Sequence, residues 1–149
     1  MSREGYIREL RAVIGPRPVN LIGVAALITD PYGRVLLARR VTSGRWGLIA
    51  DLCELGEALD VTLRREVHEE SALTVTDAHL IDLLCPDRLS EVPNGDQFYS
   101  YTAAYRVTAW HGTPQPDGHE LAELRFWAPA ELSGLPLTRL GRAALAWQV

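Results

Sequence analysis

Apolar and polar positions alternate with three different periods along this chain, and each period predicts a different element. Residues 3–14 (REGYIRELRAVI) carry Tyr6, Ile7, Leu10, Val13 and Ile14 at helical spacing, which predicts an amphipathic helix ended by Gly15-Pro16. LIGVAALITD is a near-continuous apolar run and reads as a buried strand. Asp30-Pro31-Tyr32-Gly33 is a turn, and RVLLARRV reads as the returning strand of a hairpin. Arg39 and Arg40 close that strand facing opposite ways. Thr42-Ser43-Gly44 is a loop, after which Trp46 is expected to anchor the chain by packing. A helix is predicted over 58–71, with Leu59, Leu63 and Val67 as its core stripe.

The second half reads mostly as strand. TVTDAHLIDLLC, QFYSYTAAYRVTAW and LAELRFWAP have strand character. They are separated by the polar loop CPDRLSEVPNGDQ and the turn-rich linker HGTPQPDGHE. TRLGRAALAW predicts a C-terminal helix with Leu137, Leu140, Ala144 and Trp147 facing inward. At 149 residues the chain is expected to form one domain, 1–149, with 1–18 as an N-terminal helical extension. That extension packs on the outside of the core or in a contact between two copies.

Charge changes this picture in one place. Between residues 51 and 70, seven acids (Asp51, Glu54, Glu57, Asp60, Glu66, Glu69, Glu70) face only Arg64 and Arg65, a local net of −5, against −4 for the whole chain. The acidity is therefore concentrated, as at a site. Glu66, Glu69 and Glu70 are three and four residues apart, a spacing that brings helical side chains within about 5–6 Å at Cβ. Two such charges at ~4 Å repel by about 4 kcal/mol at an effective dielectric of 20. A hard divalent cation, Mg²⁺ or Mn²⁺, would relieve that repulsion. A solvated helix face with Arg65–Glu69 pairing is the plain alternative.

The residues around the three glutamates resemble the box of the Nudix hydrolases, G-x5-E-x7-R-E-U-x-E-E-x-G-U with U aliphatic. Glu57 stands eight residues before Arg65, followed by Glu66, Val67, His68, Glu69, Glu70, Ser71, Ala72 and Leu73. The box resemblance spans 46–75, and a Nudix-like order of elements extends from about Val19 to Ala130. Two positions depart from the pattern: Asp51, within Ile49-Ala50-Asp51, replaces the first glycine, and Ala72 replaces the second. Asp51 could join a metal set or obstruct the substrate. Ala72 costs about 1 kcal/mol if the left-handed backbone is kept.

The resemblance implies an α/β (α+β) sandwich, with a mixed central β-sheet packed between helices. It implies hydrolysis of a pyrophosphate bond in a nucleoside diphosphate linked to another group. Glu66, Glu69 and Glu70 would hold Mg²⁺ or Mn²⁺, Glu57 would support the site, and Arg65 would orient the glutamates. Glu120 is the candidate for a further carboxylate from a late loop, with Glu123 second. Arg39, Phe98 and Tyr99 are candidates for substrate contact, the aromatics as stacking partners for a base. Tyr101 is a third possible stacking residue.

Two rival functions remain open at this level. Cys53 or Cys85 could pair with His68, His79, His111 or His119 as a thiolate nucleophile, as in an esterase-type or engineered Nudix scaffold. A lone cysteine is more often a small buried hydrophobe. The fold could also serve as a nucleotide-binding module without turnover. The chain contains 15 arginines and no lysine, which removes lysine Schiff-base chemistry and makes any phosphate clamp a guanidinium. The mildly acidic composition disfavours duplex nucleic acid as a partner. No apolar run approaches the roughly eighteen residues of a membrane span, and MSREGYIREL lacks a signal-peptide core, so a cytoplasmic location is expected.

Overall fold

The computed structural model describes residues 3–147, apart from the side chains of residues 3 and 4. Helix α1 (Arg3–Ile14) is followed by strands β1 (Val19–Ile28), β2 (Val35–Arg40), β3 (Trp46–Gly47) and β4 (Ile49–Leu52). Helix α2 (Leu59–Ser71) leads to β5 (Thr74–Leu84), β6 (Ser90–Glu91), β7 (Gln97–His111) and β8 (Leu121–Trp127). A 3₁₀ turn (Pro129–Gly134) and α3 (Arg139–Ala146) complete the chain. The fold is mixed α and β, with a mixed sheet in the order β4-β1-β7-β5, β6 pairing with β7, and a second sheet in the order β3-β2-β8. No helix among the described residues is long and apolar enough to cross a membrane.

Strand β1 is buried on both faces, which explains its unbroken apolar run. Val24, Ala26 and Ile28 pack with Leu63 and Val67 of α2, whereas Ala25 and Leu27 pack with Leu132, Leu137 and Ala144 on the α3 side. The strand's edges are also occupied: β1 pairs antiparallel with β4 and parallel with β7. The expected β1–β2 hairpin is therefore not formed. The turn at 30–33 passes the chain from one sheet to the other, and one bridge, Thr29 with Val35, joins the two segments. Asp30 Oδ1 ties that turn by accepting from the N–H groups of Tyr32 and Arg34.

Other boundaries agree with the hydrophobic pattern within a residue or two. The polar loop before β7 folds back as β6, in register with Gln97 and Phe98. Trp46 packs edge-on against Trp127 with ring centroids 5.1 Å apart. In α1, Val13 is 81% exposed and so lies off the inward face. The helix is held by Arg11, which donates to the carbonyls of Gln97 and Arg17, both at 2.6 Å.

Candidate active site

Helix α2 positions two of the three expected glutamates together. Leu63 and Val67 face the core, and Glu66 and Glu70, each three residues further on, lie about 60° round the helix from them. Both glutamates are carried inward and are only 4% exposed. Glu69 is two residues from Val67, about 200° round, and points outward with its side chain 57% exposed. Its contact is Arg65, at 3.4 Å. The expected three-glutamate face is thus two inward carboxylates and one outward.

Asp51 takes the third place in the cluster. It follows the core residue Ile49 by two positions on β4, so it faces the α2 side of the sheet. Carboxylate oxygens of Asp51, Glu66 and Glu70 all lie within 4.8 Å of one another. Asp51 Oδ1 accepts from the Leu52 N–H at 2.8 Å. Glycine at 23 permits this placement: a Cβ there would lie 2.5 Å from the Asp51 carbonyl oxygen. Any side chain at 23 would therefore displace the β4 backbone that carries Asp51.

Glu70 is the least satisfied member. Its Oε2 is buried without a hydrogen-bond partner. Burial raises its pKa to about 8, helped by the charges of Glu66, Glu120 and Asp117 and opposed by Arg40. A buried carboxylate oxygen with no donor, beside two more carboxylates, fits a cation of the hard, oxygen-seeking kind.

Glu57 contrasts with it. Its carboxylate takes a two-pronged contact from Arg65, at 2.9 and 2.8 Å, and accepts from the Thr62 hydroxyl at 2.6 Å and the Glu54 N–H at 3.2 Å. These donors, Arg65 foremost, hold its pKa down to about 2. Arg65 in turn donates to Glu66 Oε1 at 2.6 Å, so it fixes one cluster carboxylate through Glu57. The two carboxylates push the Arg65 pKa further up, and the guanidinium is permanently charged.

A cleft of about 300 Å³ opens beside Asp51, lined also by Arg40, Phe98, Ser100, Thr102 and Leu140. It merges with a pocket of about 340 Å³ that shares Arg40, Phe98 and Leu140 and reaches Thr138 and Arg139. Arg40, not Arg39, serves this cleft. The pairing with β8 shifts register between the two residues, and Arg39 instead pairs with Glu123 at 3.4 Å. Arg40 also lies 3.9 Å from Glu120, whose side chain is half exposed at the rim. Phe98 lines the cleft, whereas Tyr99 and Tyr101 line a separate pocket of about 470 Å³ with Asn20 and Arg88. The two-residue alternation of β7 separates them.

Asp117 also bears on the cluster and was not expected from the sequence. Burial works against its charge, but the N–H groups of His119, Glu120 and Leu121 on Oδ1 bring its pKa down overall. Its signal was Asp-Gly-His-Glu, an Asx-type turn. For Arg40 the alternation of the strand separates it from Arg39 without showing which of the two faces meets the cleft.

The two thiols sit in different settings. Cys53 is buried, and burial pushes its thiol pKa up, with Thr62, Glu57, Arg65 and Glu66 as the other main influences. Cys85 is exposed, and both cysteines are free. His68, His79, His111 and His119 are all exposed, and His79 lies 3.3 Å from the Asp77 carboxylate.

A mixed sheet crossed by a carboxylate-bearing helix, with an Arg-Glu pair locked to an upstream glutamate, defines the class. The chain belongs to the Nudix family: the family model described as the NUDIX domain matches residues 19–148. It is 31% identical over 70 residues to a MutT-like protein from Streptomyces ambofaciens, a stretch that is 47% of this chain and 45% of that protein. The match thus spans less than half of that relative's length. Among solved structures it is similar to a MutT NUDIX hydrolase from Burkholderia pseudomallei, at 26% identity and TM-score 0.73, covering 87% of this chain and 97% of the other. The fold is also that of the NUDIX domain of Shewanella oneidensis NrtR, solved in complex with ADP-ribose. That match has 22% identity and TM-score 0.69, covering 99% and 96% of the two chains.

Proposed function

We propose that this protein is a divalent-metal-dependent Nudix hydrolase that cleaves the pyrophosphate bond of a nucleoside diphosphate linked to another group. The observation that carries this reading is the buried, partnerless oxygen of Glu70, packed against Glu66 and Asp51. Glu66 and Glu70 would hold Mg²⁺ or Mn²⁺. When bound, such an ion supplies charge neutralisation at phosphate oxygens and lowers the pKa of a coordinated water.

The chain's own residues do the rest. Arg65 fixes the Glu66 carboxylate and is itself fixed by Glu57. Arg40 presents a guanidinium to the cleft, where it suits a phosphate. Phe98 offers a ring at the cleft wall for base stacking. Glu120 stands at the rim, within reach of Arg40, as a further carboxylate. Glu69 remains available from the exposed side of the helix as a base. ADP-ribose, found on the Shewanella NUDIX domain, is one member of the substrate class and a reasonable first probe.

The test is release of a nucleoside monophosphate from ADP-ribose and from a panel of nucleoside diphosphate sugars. Turnover with Mg²⁺ or Mn²⁺ that stops on chelation is the expected result. Saturable nucleotide binding without turnover, with either metal and across the panel, would make the protein a binding module and end the hydrolase reading.

A further inference from the structure

We infer that Asp51 is itself a ligand of the cation, so that this chain grips the metal through Asp51, Glu66 and Glu70 before any nucleotide arrives. The inference rests on the metal reading of the site given above. It departs from the family pattern, which places glycine where this chain has Asp51.

Three features of the molecule support it. First, Asp51 is held on a strand rather than a mobile loop: it is in register with Val24 of β1, and its Oδ1 is oriented by the Leu52 N–H. Second, its carboxylate lies in the same 4.8 Å group as those of Glu66 and Glu70, while Glu69 is turned outward to Arg65. Third, Glu70 presents a buried oxygen that no donor satisfies, although the residue is only 4% exposed. Burying a carboxylate oxygen without a partner is costly, and adding a third carboxylate beside it raises that cost. Nearby Arg40 offsets only part of it. A doubly charged ion among the three satisfies all of them together.

The consequence concerns order of binding. Mg²⁺ sites are commonly built from one or two carboxylates and completed by substrate phosphates. With three protein carboxylates converging, the cation no longer depends on the phosphates to complete its charge balance. The free protein should therefore bind metal, and Glu69 should matter little to that step.

The test is Mn²⁺ titration of the nucleotide-free, full-length protein, read by the loss of free-Mn²⁺ electron paramagnetic resonance signal and by the Mn²⁺-induced rise in Tm. Asp51→Asn keeps the shape and removes the charge, and circular dichroism reports whether it folds. Asp51→Asn is expected to weaken Mn²⁺ binding tenfold or more and to abolish most of the Tm rise, whereas Glu69→Gln changes affinity by less than about threefold. Unchanged or tighter binding by Asp51→Asn overturns the inference, as does an equal loss in Glu69→Gln. The two proposals fail separately. Asp51-dependent Mn²⁺ binding without nucleotide hydrolysis sinks the hydrolase reading alone. Nucleotide hydrolysis by a protein whose Mn²⁺ affinity ignores Asp51 sinks this one alone.

Discussion

Glu57 and Glu70 are the same residue type at opposite ends of one helix, and the structure treats them oppositely. Glu57 receives four hydrogen bonds, two of them from Arg65, and is held ionised down to about pH 2. Glu70 is buried with an oxygen that nothing satisfies, and its pKa is driven up to about 8. The first is a finished structural contact. The second is an unfinished one, favoured as a neutral acid by its burial and as a carboxylate only when a cation compensates it. The difference separates the part of the site that holds the fold from the part that awaits a ligand.

The largest effect expected from this contrast is on stability against pH. Glu70 has its folded-state pKa raised above the unfolded value of 4.5, so its contribution is complete below pH 4.5 and is lost as pH rises through about 8. The full swing is on the order of 5 kcal/mol. Metal-free protein in chelator should lose stability between pH 5 and 8.5 in urea unfolding. Mn²⁺, by replacing the proton, should restore more at pH 8 than at pH 6. A flat profile that Mn²⁺ does not alter would mean that Glu70 is not held as described.

Next in size is the effect of Glu70→Gln on catalysis. The amide keeps the shape and cannot supply negative charge to a cation. The expected loss in kcat/KM is about a thousandfold, roughly 4 kcal/mol, with metal-free stability at pH 8 raised rather than lowered. That opposite movement of activity and stability distinguishes a ligand position from a structural one. A parallel fall in both would erase the distinction between Glu70 and Glu57.

Glu57→Gln should behave in the other way. Its folded-state pKa is depressed, so its stabilisation is present above pH 4.5 and disappears as pH falls toward 2. Removing the charge is expected to cost about 3 kcal/mol at pH 7, and much less at pH 2.5, measured by urea unfolding. Arg65→Lys should cost part of the same amount, because an ammonium cannot make the two-pronged contact.

Much of this was legible in the sequence, and the rest failed for identifiable reasons. The Leu59–Leu63–Val67 stripe located α2 to within a residue. The same stripe held the answer on Glu69: at 200° from Val67 it had to point away, while Glu66 and Glu70 bordered the buried side. For Asp51 the sequence leaves a metal ligand and an obstruction equally open, because β4 is short and half polar and its strand character comes from pairing with β1. Alternation predicts strands but not partners, so the expected β1–β2 hairpin gives way to pairing of both β1 edges with segments distant in sequence. The choice of Arg40 over Arg39 turns on which face of β2 meets the cleft, and the choice of Phe98 over Tyr99 on which face of β7 does. Both are tertiary facts.

The smallest effect concerns Ala72, which ends α2 two residues after Glu70. It adopts φ 64° and ψ 7°, the left-handed conformation, with its N–H donating to the His68 carbonyl at 2.9 Å. An alanine there carries about 1–2 kcal/mol of steric strain that glycine would not. Glycine gives back part of that through the greater freedom of the unfolded chain. The net gain expected for Ala72→Gly is about 1 kcal/mol, or a rise in Tm of roughly 2–4 °C by calorimetry. Because Ala72 is exposed and lies outside the carboxylate cluster, the pH profile of the variant should run parallel to that of the parent. If the profile instead shifts along the pH axis, the helix end and the Glu70 carboxylate are coupled, and the backbone at 72 tunes the site as well as closing the helix.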